Sequence, residues 1–153
     1  MARAHHRLNP STTLPIRNRV LAYMAKLGML EASDRLLLAV SGGMDSMVML
    51  SLFQRLGEWP LAVAHCNFGL RGSEADGDED FVVEECQRLG ITLHTHRFDT
   101  REYAIARKIS VQEAARELRY AWFAELCEEY GYTKVATAHH AQDQAETVLL
   151  NLA

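Results

Sequence analysis

Hydrophobic and polar positions along this chain fall into two rhythms, and each predicts its own kind of element. Val20, Tyr23, Met24, Leu27 and Leu30 recur at helical spacing, which predicts one amphipathic helix from Leu14 to Leu30. Residues 1–13 lack such a rhythm and are expected to be a disordered tail, with 14–153 as the folded domain. Ser33 and Asp34 break the helical pattern before a short apolar run, Leu36–Val40, that reads as a buried strand. A helix from Asp45 to Arg55 and an apolar strand from Pro60 to Cys66 follow. A loop then turns into a helix over Glu79–Leu89, with Gly90 as its C-cap. "ITLHTHRF", Ile91–Phe98, alternates as a half-buried strand does. Val111–Tyr130 carries Ala114, Ala115, Leu118, Trp122 and Leu126 along one helical face, and Gly131 ends it. "TKVATA" is a fourth strand, and "AQDQAETVLLNLA" opens another helix. That helix is still apolar and uncapped at Ala153, so a longer natural protein is expected.

Strands alternating with helices predict an α/β fold, an open and mostly parallel sheet with helices on both faces. Its crossovers should be right-handed, and ligands in such sheets bind outside the strand C-terminal ends at a switch point. The polar segments after strands one, two and four, "SGGMDS", "HCNFGLRGS" and "HHAQDQAET", all fall on that edge.

Composition changes this picture little. At 153 residues the chain suits one domain with a real core. No apolar run reaches the ~18 residues of a membrane span, and "MARAHHRLNP" lacks the apolar stretch of a secretory signal. Cys66, Cys86 and Cys127 are odd in number and widely spaced, which favours free thiols in a reducing cytoplasm over disulfides or a zinc site. Residues 1–35 carry six Lys or Arg against Glu31 and Asp34, whereas the remainder carries ten against eighteen acids. The bulk of the chain therefore lacks the dense basic face of a nucleic-acid binder.

The chemistry concentrates in "SGGMDS". Gly42 and Gly43 allow a tight turn and close approach to an anion, and the helix that follows offers free N–H groups and a positive dipole end. Ser41, Ser46 and the backbone through Met44 would then hold phosphate. The Walker pattern needs a lysine that this loop does not have. Asp45 would be repelled by phosphate directly, so it is expected to act through Mg²⁺. An ordinary strand–turn–helix corner, capped by Ser41 or Asp45, is the alternative reading.

Asp143 and Glu146 lie three apart on the last helix and so share a face. They could hold a cationic substrate, help place Mg²⁺, or simply answer the helix dipole. His139 and His140 precede them. Arg116 and Arg119 lie three apart on the long helix, suited to phosphate or carboxylate, or else paired with Glu113 and Glu117. Arg71 and Ser73 follow strand two, and "EADGDED" reads as a solvated acidic helix start without EF-hand spacing.

"SGGMDS" resembles the SGGxDS signature of the PP-loop ATP pyrophosphatases, which cleave ATP between its α- and β-phosphates. "HCNFGLRGSEADGDEDFV", "VQEAARELRYAWF" and "ATAHHAQDQAETVLLNL" are similar, in that order, to segments of the tRNA(Ile)-lysidine synthetase family within that group. Phe68 stands where many members have His, and Gln142 where many have Asp. The resemblance implies ATP and Mg²⁺ as cofactors, and L-lysine and tRNA(Ile) with a CAU anticodon as partners. It leaves room for a homodimer. It also implies a cytoplasmic ligase, with Asp45, Arg116 and Asp143 catalytic and Asp143, Glu146 and Arg116 at the lysine. Two rivals remain: a tRNA sulfurtransferase sharing the adenylation step, and a nucleotide-binding fragment without catalysis.

Overall fold

The computed structural model describes residues 10–138 and 150–151. The chain divides into two compact units, Met1–Ala32 and Ser33–Ala153. The first holds helix α1, Pro10–Lys26. It starts four residues before the expected Leu14, so residues 10–13 are helical rather than part of a tail, and it stops before Leu30.

Among the described residues the second unit holds a five-stranded sheet with four helices. In chain order these are β1 (Leu36–Ala39), α2 (Met44–Leu56), β2 (Leu61–Asn67), α3 (Ser73–Leu89), β3 (Thr92–Arg97), α4 (Thr100–Arg107), α5 (Val111–Tyr130), β4 (Lys134–Thr137) and β5 (Leu150–Asn151). Strand order is β3-β2-β1-β4-β5. The first four strands are parallel, and β5 runs antiparallel to β4. The expected α/β sheet is therefore present, with one correction. Leu150–Asn151, placed by periodicity in a helix, is instead a strand pairing with Lys134 and Val135. An open sheet edge offers unpaired N–H and C=O groups, and that demand overrides a weak helical rhythm.

Alternation sorts β1 between two layers. Leu37, Ala62, Ala64 and Val135 pack in one cluster with Trp122, Phe123 and Leu126 of α5. Leu36, Leu38 and Val63 are fully buried and project to the opposite face. Phe123 is 1% exposed, and burying such a ring stabilises by about 1.5–3 kcal/mol.

The chain steps outward twice from β1, to β2 and then β3, and returns across the sheet to β4. The direction of winding therefore reverses between β1 and β4, where a crevice opens beyond the strand ends. Register sets the ends of β1 and β4 level there, since Ala39 pairs with Thr137, while β2 runs on past Ala64, the other partner of Ala39, to Asn67.

Candidate nucleotide-binding site

The loop after β1 is fixed from below before it can bind anything. Val40 N–H donates to the Ala64 carbonyl at 3.0 Å, and the Val40 carbonyl accepts from Nδ1 of buried His65 at 2.8 Å. That bond puts the imidazole proton on Nδ1. Ser46, 5% exposed, ties the loop to its helix. Its hydroxyl donates to the Gly43 carbonyl at 2.9 Å and accepts from Ser41 N–H at 3.2 Å. Gly43 N–H in turn donates to Ser41 Oγ at 3.3 Å.

Gly42 has φ +92°, and a Cβ there would lie 3.2 Å from the Asp78 Cβ of α3. Glycine is thus required twice, by conformation and by crowding. Gly43, rather than Ser41 or Asp45, is the N-cap of α2, and as a glycine it makes no side-chain cap. The first turn presents its positive dipole end on the loop side. Met44 is 81% exposed, so it contributes backbone rather than packing, and Asp45 stands exposed on that same turn.

Two cavities flank the loop. The smaller, about 220 Å³, lies over Ala39, Ala64 and Phe123, with Ser41, Ser46 and Thr137 as polar lining. The larger, about 360 Å³, is bordered by Gly43, His65, Asn67, Arg71 and Asp78. Ser41, Cys66, Phe68 and Arg119 line both. Thr137 is 4% exposed and its Oγ1 has no hydrogen-bond partner among the described residues. A buried hydroxyl left so costs about 1–3 kcal/mol, and a polar ligand in the smaller cavity would relieve it. The cradle at Gly42, the uncapped helix and this hydroxyl together fit a nucleotide phosphate.

The six loop residues expected at the site, Ser41 to Ser46, are brought together. The two arginines are separated. Arg119 lines both cavities with its guanidinium 5.2 Å from the Phe68 ring centroid, whereas exposed Arg116 lies over Tyr120 at 5.1 Å and lines neither. The paired acids are engaged elsewhere: Glu113 bonds Ser110, and Glu117 bonds the Tyr103 hydroxyl and Arg107. Asp143, Glu146, His139, His140 and Gln142 lie outside the described residues. Arg71 borders the larger cavity, and Ser73 opens α3.

The acidic segment is more than a solvated helix start. Helix α3 begins at Ser73, six residues before the expected Glu79. Buried Asn67 donates to Glu79 at 3.0 Å and to Asp76 at 3.4 Å, and Asp78 abuts Gly42. Sequence reasoning passed over His65, Asn67, Asp78 and Thr137, although all four fall within the quoted motifs. Among the described residues no three His, Cys, Asp or Glu gather as a metal cage. Burial pushes the Cys66 thiol up to about 12, partly offset by the Arg119 charge, and burial also raises Cys86 and Cys127.

A parallel sheet with a glycine-turned, uncapped helix at its switch point defines a phosphate-binding α/β domain. Residues 13–153 match the PP-loop domain, and the chain belongs to that family. Its curated relatives are named tRNA(Ile)-lysidine synthase. The protein of that name from Chlorobaculum tepidum is 54% identical over 78% of this chain and 37% of its own length. Those from Bacteroides thetaiotaomicron and Porphyromonas gingivalis are each 46% identical, over 90% and 91% of this chain and 32% and 31% of their own. The chain thus spans about a third of the length of the curated relatives it matches. Among solved structures, NH3-dependent NAD synthetase from Campylobacter jejuni is similar in fold. It has a TM-score of 0.62 and 12% identity, over 80% of this chain and 54% of that one. No helix among the described residues is long and apolar enough to cross a membrane.

Proposed function

We propose that this domain binds ATP on the Ser41–Ser46 loop and adenylates the wobble cytidine of tRNA(Ile) at carbon 2. The lysine ε-amine then displaces AMP to give lysidine. The observation that carries the reading is the uncapped start of α2, open on a crevice that also holds the unpartnered Thr137 hydroxyl.

The missing lysine fits this chemistry. A bond broken between the α- and β-phosphates needs a loop that grips departing pyrophosphate, and backbone N–H groups with a helix dipole supply that. Ser41, Gly42, Gly43 and the Met44 backbone would hold the anion, while buried Ser46 keeps the loop in shape. Mg²⁺ at Asp45 would supply positive charge on the leaving group. Arg119, rather than Arg116, takes the phosphate-facing role in this reading, because it lines both cavities. Arg116, Asp143 and Glu146 stay assigned to lysine. The rest is positioning, which can supply several orders of magnitude of rate.

A sulfurtransferase would need a reactive thiolate. Cys66 is the cysteine at the site, and a thiol pushed up to about 12 stays protonated at neutral pH.

The test uses the full-length protein with ATP, L-lysine and tRNA(Ile) bearing a CAU anticodon. AMP release should require both lysine and tRNA, and mass spectrometry should find lysidine. Thiolated RNA formed without lysine would overturn the assignment. ATP binding with no tRNA- and lysine-dependent AMP would favour a nucleotide-binding module without catalysis.

A further inference from the structure

We propose that Phe68 is a positioning residue, whose ring fixes the Arg119 guanidinium at the wall between the two cavities. The inference rests on the reading that ATP occupies this site. The guanidinium carbon sits 5.2 Å from the Phe68 ring centroid, inside the ~6 Å range of a cation–π contact. The ring cannot easily drift. It stacks on buried Phe98 with centroids 5.5 Å apart and planes 19° from parallel.

The backbone beneath the ring is clamped on each side. The Phe68 carbonyl accepts from Thr100 Oγ1 at 2.8 Å, and Gly69 N–H donates to Asn67 Oδ1 at 3.0 Å. Gly69 has φ +66°, and a Cβ there would lie 3.2 Å from the Phe98 carbonyl oxygen. Phe98 N–H donates to the Asn67 carbonyl at 2.8 Å. Arg119 comes from a different element, α5, and a free arginine would spend much of its time in solvent-facing rotamers. An aromatic face at this place holds the charge without neutralising it, as a carboxylate would. It also carries no titratable group of its own. The cation that meets phosphate is therefore held in place by the ring.

The experiment measures ATP KM and kcat for AMP release by the full-length protein, with thermal melting as a fold control. Phe68→Leu should raise ATP KM about five- to tenfold with kcat nearly unchanged, the size of a partly desolvated cation–π contact. Phe68→Tyr and Phe68→Trp retain a ring face and should stay within about twofold of the parent. In an Arg119→Ala background Phe68→Leu should add nothing. For Phe68→His, the KM ratio to the parent should climb as pH falls from about 8 to about 6, as imidazolium forms beside Arg119. Equal losses for Leu, Tyr and Trp, or additive losses in the Arg119→Ala background, would overturn the proposal. So would an unchanged KM in Phe68→Leu while the parent binds ATP. Failure of the parent protein to bind ATP would sink the functional reading itself.

Discussion

Two helices of this domain start in opposite ways. At α5, Ser110 and Glu113 form a reciprocal cap: Glu113 N–H donates to Ser110 Oγ at 3.1 Å, and Ser110 N–H donates to Glu113 Oε2 at 2.9 Å. At α2 the N-cap is Gly43, which has no side chain with which to make such a cap. The capped start serves the fold, because its orphan donors are satisfied within the chain. The open start leaves the same donors for a ligand, and its loop is held by bonds from beneath instead. A helix end without a cap beside a crevice is thus informative, and a capped one is not.

The sharpest way to break this comparison is Asp45→Asn, which removes a charge from the α2 start and keeps the size of the side chain. AMP formation should fall by about a thousandfold with an unchanged melting curve, and near-parent turnover would refute the metal role. Gly42→Val comes next. Its Cβ would meet Asp78 in a left-handed backbone, so the loop must shift, and ATP-dependent turnover should drop about a hundredfold. Isothermal titration with ATP would check that the loss lies in binding. Ser110→Ala tests the other pole and should cost about 1 kcal/mol of stability in chemical denaturation, with ATP KM unmoved. A KM change there would show that the two starts are coupled.

The smallest effect is one of pH. Hydrogen bonds from Ser110 hold the Glu113 carboxyl below its usual range. A depressed carboxylate contributes stability above its unfolded pKa, and that contribution fades as pH falls through the lower, folded value. Melting curves from neutral pH to about 3 should show Glu113→Gln without this acid-side loss. The parent and the variant should converge once the carboxyl is protonated.

Local pattern carried much of the fold. The strand Leu36–Ala39, the turn after it and the helix Val111–Tyr130 are written in nearest-neighbour chemistry, and α5 has the bounds its periodicity predicts. Helix α4 was missed because "TREYAIAR" is short and polar and buries only Thr100 and Ala104. It is held by contacts distant in sequence, such as the Tyr103 hydroxyl donating to Glu117 at 2.9 Å. The site divides the same way. The loop's own residues were legible, whereas the different surroundings of Arg116 and Arg119 were not, since the two lie three apart on one helix and only tertiary packing puts Arg119 at the cavities beside Phe68. Thr137 and Asp78 matter only because sheet register and α3 bring them to the loop.

The two alanines paired across β1 and β2 have a separate consequence. Ala39 ends β1 and lies beside Ala64, part-way along β2, and both line the smaller cavity. The depth of that crevice is therefore set by two methyl groups. A single added branch at either position would thin the space above the sheet, leaving every hydrogen-bonding group where it is. What the crevice admits can be retuned by volume alone, independently of the charges that do the binding.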